Sequence, residues 1–354
     1  MKIIRVCTIL DFGGVEKRLV NIAQSCPSGI ETIFIALGTG GWAANELQKY
    51  SKEVICLESD YRIPNLNLIF KLVKIFKFLK PDVVHTSGAE ANFHAQIAAF
   101  IASVPKRVSE EIGFPNHSRT SRYIFGNVYK LSHKVVCISK AVADKVVQLG
   151  EAKKENIEVV YNPIAYNIYE RQITKTESPL RFVTVCRLTE IKNLARLIRV
   201  FHRFLDVSPG SVLQIVGDGP EKEILQKLVN DLSIDNSVWL EGFSQNPANF
   251  LLEADVFVLP SYSEGLGNAI MEAMLVGIPC IVSNIGGGRE LIEDEINGWL
   301  INPYNDEEIF QKLVAASTTT IAQRESMGLI SRKLIKDKFS SENHWKSLIN
   351  IYRN

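Results

Sequence analysis

The chain has 354 residues, 46% of them apolar and 22% charged, with a net charge of +1. That length suits two domains rather than one core, and the composition excludes a disordered or fibrous protein. The charge is uneven: residues 1–165 hold 21 Lys and Arg against 15 Asp and Glu, and the remainder 19 against 24, so the basic half either favours an anionic surface or ligand or is an ordinary solvated face.

The first stretch, "MKIIRVCTILDFGG", alternates partly and runs into a glycine turn rather than a cleavage site, which predicts a strand and not a secretory signal. The longest apolar stretches, such as Ile97 to Val104, fall well short of the roughly 20 residues a membrane span needs. Cys7, Cys26, Cys56, Cys137, Cys186 and Cys280 form no CxxC pair and mostly sit in apolar runs. They are expected to be buried thiols in a reducing, cytoplasmic compartment rather than disulfides or zinc ligands.

Strands are predicted in turn at "KIIRVCTIL", "ETIFIAL", "EVICL", "DVVHTS", "KRVSE", "KVVCIS" and "IEVVYN". Helical patterns lie between them, for instance "GVEKRLVNIAQ" and "NLNLIFKLVKIFKFLK". Gly13 and Gly14 read as ending the first strand and opening a helix, whose bare amides suit a phosphate; a plain tight turn is the alternative. The second pattern carries Lys71, Lys74, Lys77 and Lys80 at three-residue spacing. It reads first as a domain helix with its lysines in water, and otherwise as a basic amphipathic helix lying on anionic lipid.

A break follows at "YNPIAYNIYERQITKTES", residues 161–178, with proline, polar residues and no sustained period. Strands resume at "LRFVTVCRL", "SVLQIVGDG", "SVWLEGF", "ADVFVLPS", "PCIVSNIG" and "GWLINP", again separated by helical patterns. Alternating strands and helices imply parallel sheets covered on both faces. The predicted fold is therefore α/β, with two facing Rossmann-like domains over 1–165 and 178–337, a linker at about 166–177, and a ligand cleft between the domains. The closing segment "SENHWKSLINIYRN" predicts a helix capped by Ser340 or Ser341, with Trp345, Leu348, Ile349 and Tyr352 on one face.

In such sheets ligands bind beyond the carboxyl ends of the strands. In "VCRLTEIKNLARLI", Arg187 ends a strand and Lys192 stands before a helix that Asn193 is expected to cap. An arginine fork and a lysine point charge can grip two phosphoryl groups. "LQIVGDGPEKEIL" turns at Gly217, Gly219 and Pro220 without completing a dinucleotide fingerprint, and tight-turn geometry explains most of it. In "WLEGFSQNP", Gly242 ends a strand where backbone groups can meet a planar base. "SEGLGNAIMEA" turns through Gly265, Leu266 and Gly267 into a helix starting near Asn268, where anions are favoured. Glu272 falls one turn inside, among apolar neighbours, so it is expected to be half-buried and to need partners. Glu264 stands at the mouth. The two glutamates would bracket a diphosphate, with a sugar at Glu264 and a ribose at Glu272.

In order and spacing, "GGVEKRL", "CRLTEIKN", "IVGDGPEKEIL", "EGLGNAIMEAM", "GIPCIVSNIGGGRELI" and "NGWLINP" resemble glycosyltransferase family 4, of GT-B architecture. The glutamate pair matches its E-x7-E motif. The resemblance implies a retaining, metal-independent transfer of sugar from a nucleotide-diphosphate donor, with no cofactor. It assigns Arg187 and Lys192 to the diphosphate and its departing charge, Glu264 to the donor sugar, Glu272 to the ribose, and Gly265 to Gly267 to phosphate and sugar. It also implies that the closing helix, from about residue 338, crosses back onto the N-terminal domain.

Many members of that family carry a histidine in an N-domain loop. Here the corresponding loop, "KRVSEEIGF", offers Glu110 and Glu111, with His85 and His94 nearby as alternatives on the acceptor side. "EGLGN" looks like members using UDP-hexoses or UDP-N-acetylhexosamines, with GDP-mannose the fallback. The acceptor implied is a glycan or lipid-linked oligosaccharide of the polysaccharide or lipopolysaccharide type. Peripheral contact with the inner face of the cytoplasmic membrane is an accompanying expectation, and nothing calls for a nucleic-acid partner. Two other readings remain: a nucleotide-sugar epimerase of the same architecture, and a non-catalytic sugar-nucleotide-binding subunit.

Overall fold

In the computed structural model, which describes residues 1–50, 52–164 and 179–354, each β-branched run becomes a strand of a parallel sheet. The first sheet contains β1 (Lys2–Cys7), β2 (Glu31–Ala36), β3 (Glu53–Cys56), β4 (Val83–Ser87), β5 (Lys106–Glu111), β6 (Lys134–Cys137) and β7 (Ile157–Val159), in the order β3-β2-β1-β4-β5-β6-β7. The second contains β8 (Arg181–Val185), β9 (Val212–Val216), β10 (Val238–Gly242), β11 (Val256–Leu259), β12 (Cys280–Ser283) and β13 (Gly298–Ile301), in the order β10-β9-β8-β11-β12-β13. Each sheet changes direction once, between β1 and β4 and between β8 and β11. Loops leaving adjacent strands at such a point diverge and open a crevice at the carboxyl edge.

The chain divides into two compact units, Met1–Ala165 with Phe339–Asn354, and Tyr166–Lys338. The linker expected at 166–177 lies outside the described residues. In the second unit, the helix Leu194–Leu205 places Leu194, Leu197, Ile198, Phe201 and Phe204 at three- and four-residue spacing, all buried. That is the apolar stripe a sheet-covering helix needs. Phe182 of β8 meets Phe201 and Phe204 edge-on, with ring centroids 5.6 and 5.5 Å away. Each buried ring contributes roughly 1.5–3 kcal/mol.

The last helix, Ser341–Arg353, belongs to the first unit although the chain reaches it after the second. Ser340 caps it by accepting from the Asn343 amide at 3.2 Å. Trp345, Leu348, Ile351 and Tyr352 pack against Ile3, Ile22, Val83 and Val108, and the Trp345 indole donates to the Ile22 carbonyl at 3.2 Å.

Two local expectations are corrected. β1 ends at Cys7, and residues 8–13 separate it from the helix that opens at Gly14, so Gly13 and Gly14 open the helix without ending the strand. Asn193 does not cap the following helix: it takes a left-handed conformation with φ of 58°. Its amide group instead donates to the carbonyls of Pro260 and Pro303, at 3.1 and 2.9 Å. It thereby ties the loop after β8 to those after β11 and β13. Among the described residues, no helix is long and apolar enough to cross a membrane.

Candidate active site

The second unit's crevice is built from the loops after β8 and β11, the adjacent strands at its switch point. The loop after β8 carries Arg187, exposed, and ends in a short 3-10 turn at Glu190–Lys192. The loop after β11 carries Ser261 and Glu264 and enters the helix Asn268–Val276. The amide of Tyr262 donates to the Ile191 carbonyl at 2.8 Å and binds the two loops together. Lys192 Nζ then donates to Glu264 Oε2 at 2.6 Å, both side chains being mostly buried, and the Ser261 hydroxyl donates to the same oxygen at 3.4 Å. The Arg187 guanidinium has no side-chain partner among the described residues. One cation is therefore held by the first glutamate of the pair, and a second is available beside it.

The helix after the turn starts at Asn268, with Gly267 at its N-cap and φ of 88°, a conformation glycine takes without cost. Leu266 is buried beneath the turn. Asn268 and Glu272 lie four residues apart and so on one face; Glu272 is half-buried, as its apolar neighbours predicted.

Glycines bring neighbouring loops into backbone contact with this turn. A Cβ at Gly286 would stand 2.1 Å from the Glu264 carbonyl oxygen, and one at Gly287 would stand 2.4 Å from that of Gly265. The Gly287 amide donates to the Glu264 carbonyl at 3.1 Å. Gly286 and Gly287 were not singled out in the sequence, although "IGGGRE" directly after a strand was the available signal. The "GDGP" turn does more than turn tightly. Cβ atoms at Gly217 and Gly219 would collide with the carbonyls of Cys186 and Leu188 at 1.8 and 2.3 Å, so this turn lies against the Arg187 loop. Gly242 is left-handed, with φ of 77°, and its carbonyl accepts from the Gly217 amide at 2.8 Å. A separate groove of about 320 Å³ lies by the start of the helix Leu194–Leu205, lined by Thr189, Arg196, Arg199, Glu221 and Tyr262 among others. Thr189 and Tyr262 place it on the loops after β8 and β11 that build the crevice, although none of Arg187, Lys192, Glu264 and Glu272 lines it.

In the first unit the structure moves two candidates into the interior. His85 sits mid-strand in β4, fully buried, and shares a hydrogen bond of 2.6 Å with the Tyr352 hydroxyl of the last helix. Burial, with Arg5 nearby, pushes it down to about 4, so it is a neutral core histidine and does not face a ligand. Glu110 is buried beside it. It receives both terminal nitrogens of Arg18 at 2.7 Å, the Ser87 hydroxyl at 2.6 Å and Arg5 at 3.2 Å. Burial would raise its pKa, but Arg18, His85 and Arg5 hold it well below the carboxylate range. Glu110 is a structural counter-ion with its oxygens taken. His94 is buried too, bonded to the Glu90 carbonyl at 2.8 Å and accepting the Asn65 amide at 3.1 Å.

Glu111 is different. It ends β5, accepts from the Tyr129 hydroxyl and from Asn92, and is pushed up to about 7 by burial, against the Tyr129 hydrogen bond. His117, six positions on, is partly exposed and bonded to Glu151 at 2.7 Å. The Glu151 hydrogen bond raises its pKa, while its ring stacks on Phe125 at 4.6 Å. His117 escaped the sequence reading because the loop "IGFPN" separates it from the strand end. Gly13 precedes the first helix with extended backbone, and the Glu16 side chain lies over it, where a Cβ would meet Oε2 at 2.2 Å.

Compared with known proteins, residues 167–333 match the family of group 1 glycosyl transferases and residues 12–167 match glycosyltransferase family 4. An Escherichia coli UDP-Gal:alpha-D-GlcNAc-diphosphoundecaprenol alpha-1,3-galactosyltransferase is 30% identical over 271 residues, 70% of this chain and 69% of its own. An uncharacterised glycosyltransferase of Methanocaldococcus jannaschii is 28% identical over 318 residues, 77% and 76% of the two chains. Among solved structures, Anabaena HepE in complex with UDP and glucose is similar in fold, with a TM-score of 0.86 at 20% identity over the whole of both chains.

Proposed function

The chain belongs to glycosyltransferase family 4 and has the GT-B fold, and we propose that it moves a hexose or N-acetylhexosamine from a UDP donor to a lipid-linked or glycan acceptor, with retention and without a metal. The observation that carries this reading is the Lys192–Glu264 contact of 2.6 Å at the mouth of a glycine turn, with the Arg187 guanidinium unengaged in the loop that brings Lys192 there. The two cations take the donor diphosphate. They stabilise the negative charge that grows as the anomeric C–O bond breaks, a preorganised electrostatic device acting where charge develops. That positive charge is what a divalent ion supplies in other phosphoryl sites. Glu264 holds Lys192 in position and meets the sugar hydroxyls, and Glu272 takes the ribose diol from inside the helix.

UDP is favoured because the E. coli relative is named for UDP-Gal and the Anabaena structure holds UDP. The acceptor class follows the same relative, named for a diphosphoundecaprenol. Polysaccharide or lipopolysaccharide assembly at the cytoplasmic face of a membrane is the setting that fits such a substrate. In the first unit, Glu111 is the acceptor-side carboxyl, standing at a strand's carboxyl end and close to protonation balance near neutral pH.

The test is transfer from UDP-hexoses and UDP-N-acetylhexosamines to undecaprenyl-diphosphate sugars in EDTA, with the product's anomeric configuration read by NMR. An α-linked product from an α-donor supports the reading. An inverted product, an absolute metal requirement, or epimerised donor without transfer contradicts it.

A further inference from the structure

The helix Leu66–Leu79 turns its main apolar stripe inward, with Leu68, Ile69, Leu72, Val73 and Phe76 buried against the sheet. Its outward face should then be polar, and it is not. Leu66 is 65% exposed, Phe70 60% and Phe78 85%. At 100° per residue, Phe70 and Phe78 flank Lys74 on the side opposite the buried stripe, with Lys77 and Lys71 at the two margins. All three lysines are exposed, and the helix contains no Asp or Glu. Lys71 donates to the Leu57 carbonyl at 2.9 Å, whereas Lys74 and Lys77 have no partner among the described residues. The next helix, Ala89–Ile101, packs alongside in the same direction, and at its matching end Phe100 and Ile101 are 53% and 47% exposed.

Solvent-facing aromatic rings interleaved with lysines are costly against bulk water and favourable at one kind of surface. There the rings enter the boundary between headgroups and acyl chains while the ammonium groups meet lipid phosphates, the long lysine stems letting both happen at once. At about 1.5 Å per residue, a helix of 14 residues is too short to span a bilayer and long enough to lie in its plane. We propose that this face, Leu66, Phe70 and Phe78 with Lys71, Lys74 and Lys77, seats the chain on an anionic phospholipid surface. The inference rests on this surface alone and needs no nucleotide, so it stands or falls separately from the donor chemistry.

The test is flotation of the full chain with vesicles of phosphatidylcholine alone and of phosphatidylcholine mixed with phosphatidylglycerol, at low and high salt. Association is expected with the anionic vesicles and is expected to weaken with salt as the lysines are screened. Phe70→Ser with Phe78→Ser lowers it by roughly tenfold or more per ring, and Lys74→Gln with Lys77→Gln by roughly fivefold per lysine, with UDP affinity unchanged in both. The lysine variant keeps the test sharp if the serine variant misfolds. No association with anionic vesicles overturns the proposal, as does equal binding to neutral ones or equal binding by the variants. So would a dimer in sedimentation that the serine variant dissolves without any vesicle binding, because the face would then cover a second copy of the chain.

Discussion

Lys192 Nζ and Glu264 Oε2 lie 2.6 Å apart although 72 positions separate the two residues. The cation is paired with the carboxylate that the E-x7-E motif supplies. A diphosphate must share or displace that partner. Glu264→Gln is therefore expected to tighten UDP binding several-fold, because Lys192 is no longer held by a full negative charge, while sugar transfer falls by two orders of magnitude or more. Titration calorimetry and initial rates separate the two effects, and a parallel loss of both would show that Glu264 serves UDP binding by positioning Lys192 rather than competing with the diphosphate for it.

Gly286 and Gly287 test whether the glycine turn must be held by its neighbour. Gly286 has φ of 66°, and a Cβ there would overlap the Glu264 carbonyl. Gly286→Ala should cost roughly 1–3 kcal/mol through strain and forced separation and should weaken UDP binding at least tenfold. Thermal unfolding and UDP titration on the same preparation check it; wild-type UDP affinity would mean the two loops move independently.

Glu111 carries a pH signature. Its folded pKa, about 7, stands above its ordinary value of 4.5. The folded state therefore holds the extra proton between those values, and the stability it contributes is full below the lower value and lost as pH rises through about 7. The loss is on the order of 3 kcal/mol. Glu111→Gln removes it, so wild type should lose stability relative to the variant between about pH 5 and pH 8. As the acceptor-side carboxyl, the same substitution should raise acceptor KM and leave UDP affinity alone. Parallel stability curves for the two proteins would contradict the assignment of a protonated Glu111.

Glu110, its neighbour in sequence, behaves oppositely because successive strand residues point to opposite faces. Glu110→Ala leaves Arg18 and Arg5 buried without their counter-ion, at a cost of about 3–5 kcal/mol. Denaturant unfolding should show that loss. A fully stable variant with impaired transfer would restore Glu110 to the acceptor side.

These two glutamates also show where the sequence stopped being legible. The strands could be read because a parallel sheet covered on both faces demands unbroken β-branched runs, and "VFVL" or "KVVC" meets that demand locally. The turn at Gly265–Gly267 and the helix at Asn268 were likewise readable, since glycine and asparagine punctuate the chain at the position itself. His85 was not, for its burial depends on Tyr352, 267 positions away. Asn193 was not, because a residue that commonly caps helices bonds here to two distant proline carbonyls. Nor could "EE" say which carboxylate meets Arg18 and which meets Tyr129, since that choice is set by strand register against β4 and β6.

The central claim is that Arg187 and Lys192 form a nucleoside-diphosphate site. The measurement that bears on it most directly is calorimetric titration of wild type, Arg187→Ala and Lys192→Ala with UDP, GDP and ADP in EDTA. The account predicts metal-free binding that prefers UDP and weakens by roughly tenfold or more with loss of either cation, while the unfolding temperature stays near that of wild type. Failure of wild type to bind any of the three, or UDP binding untouched in both variants, would contradict it.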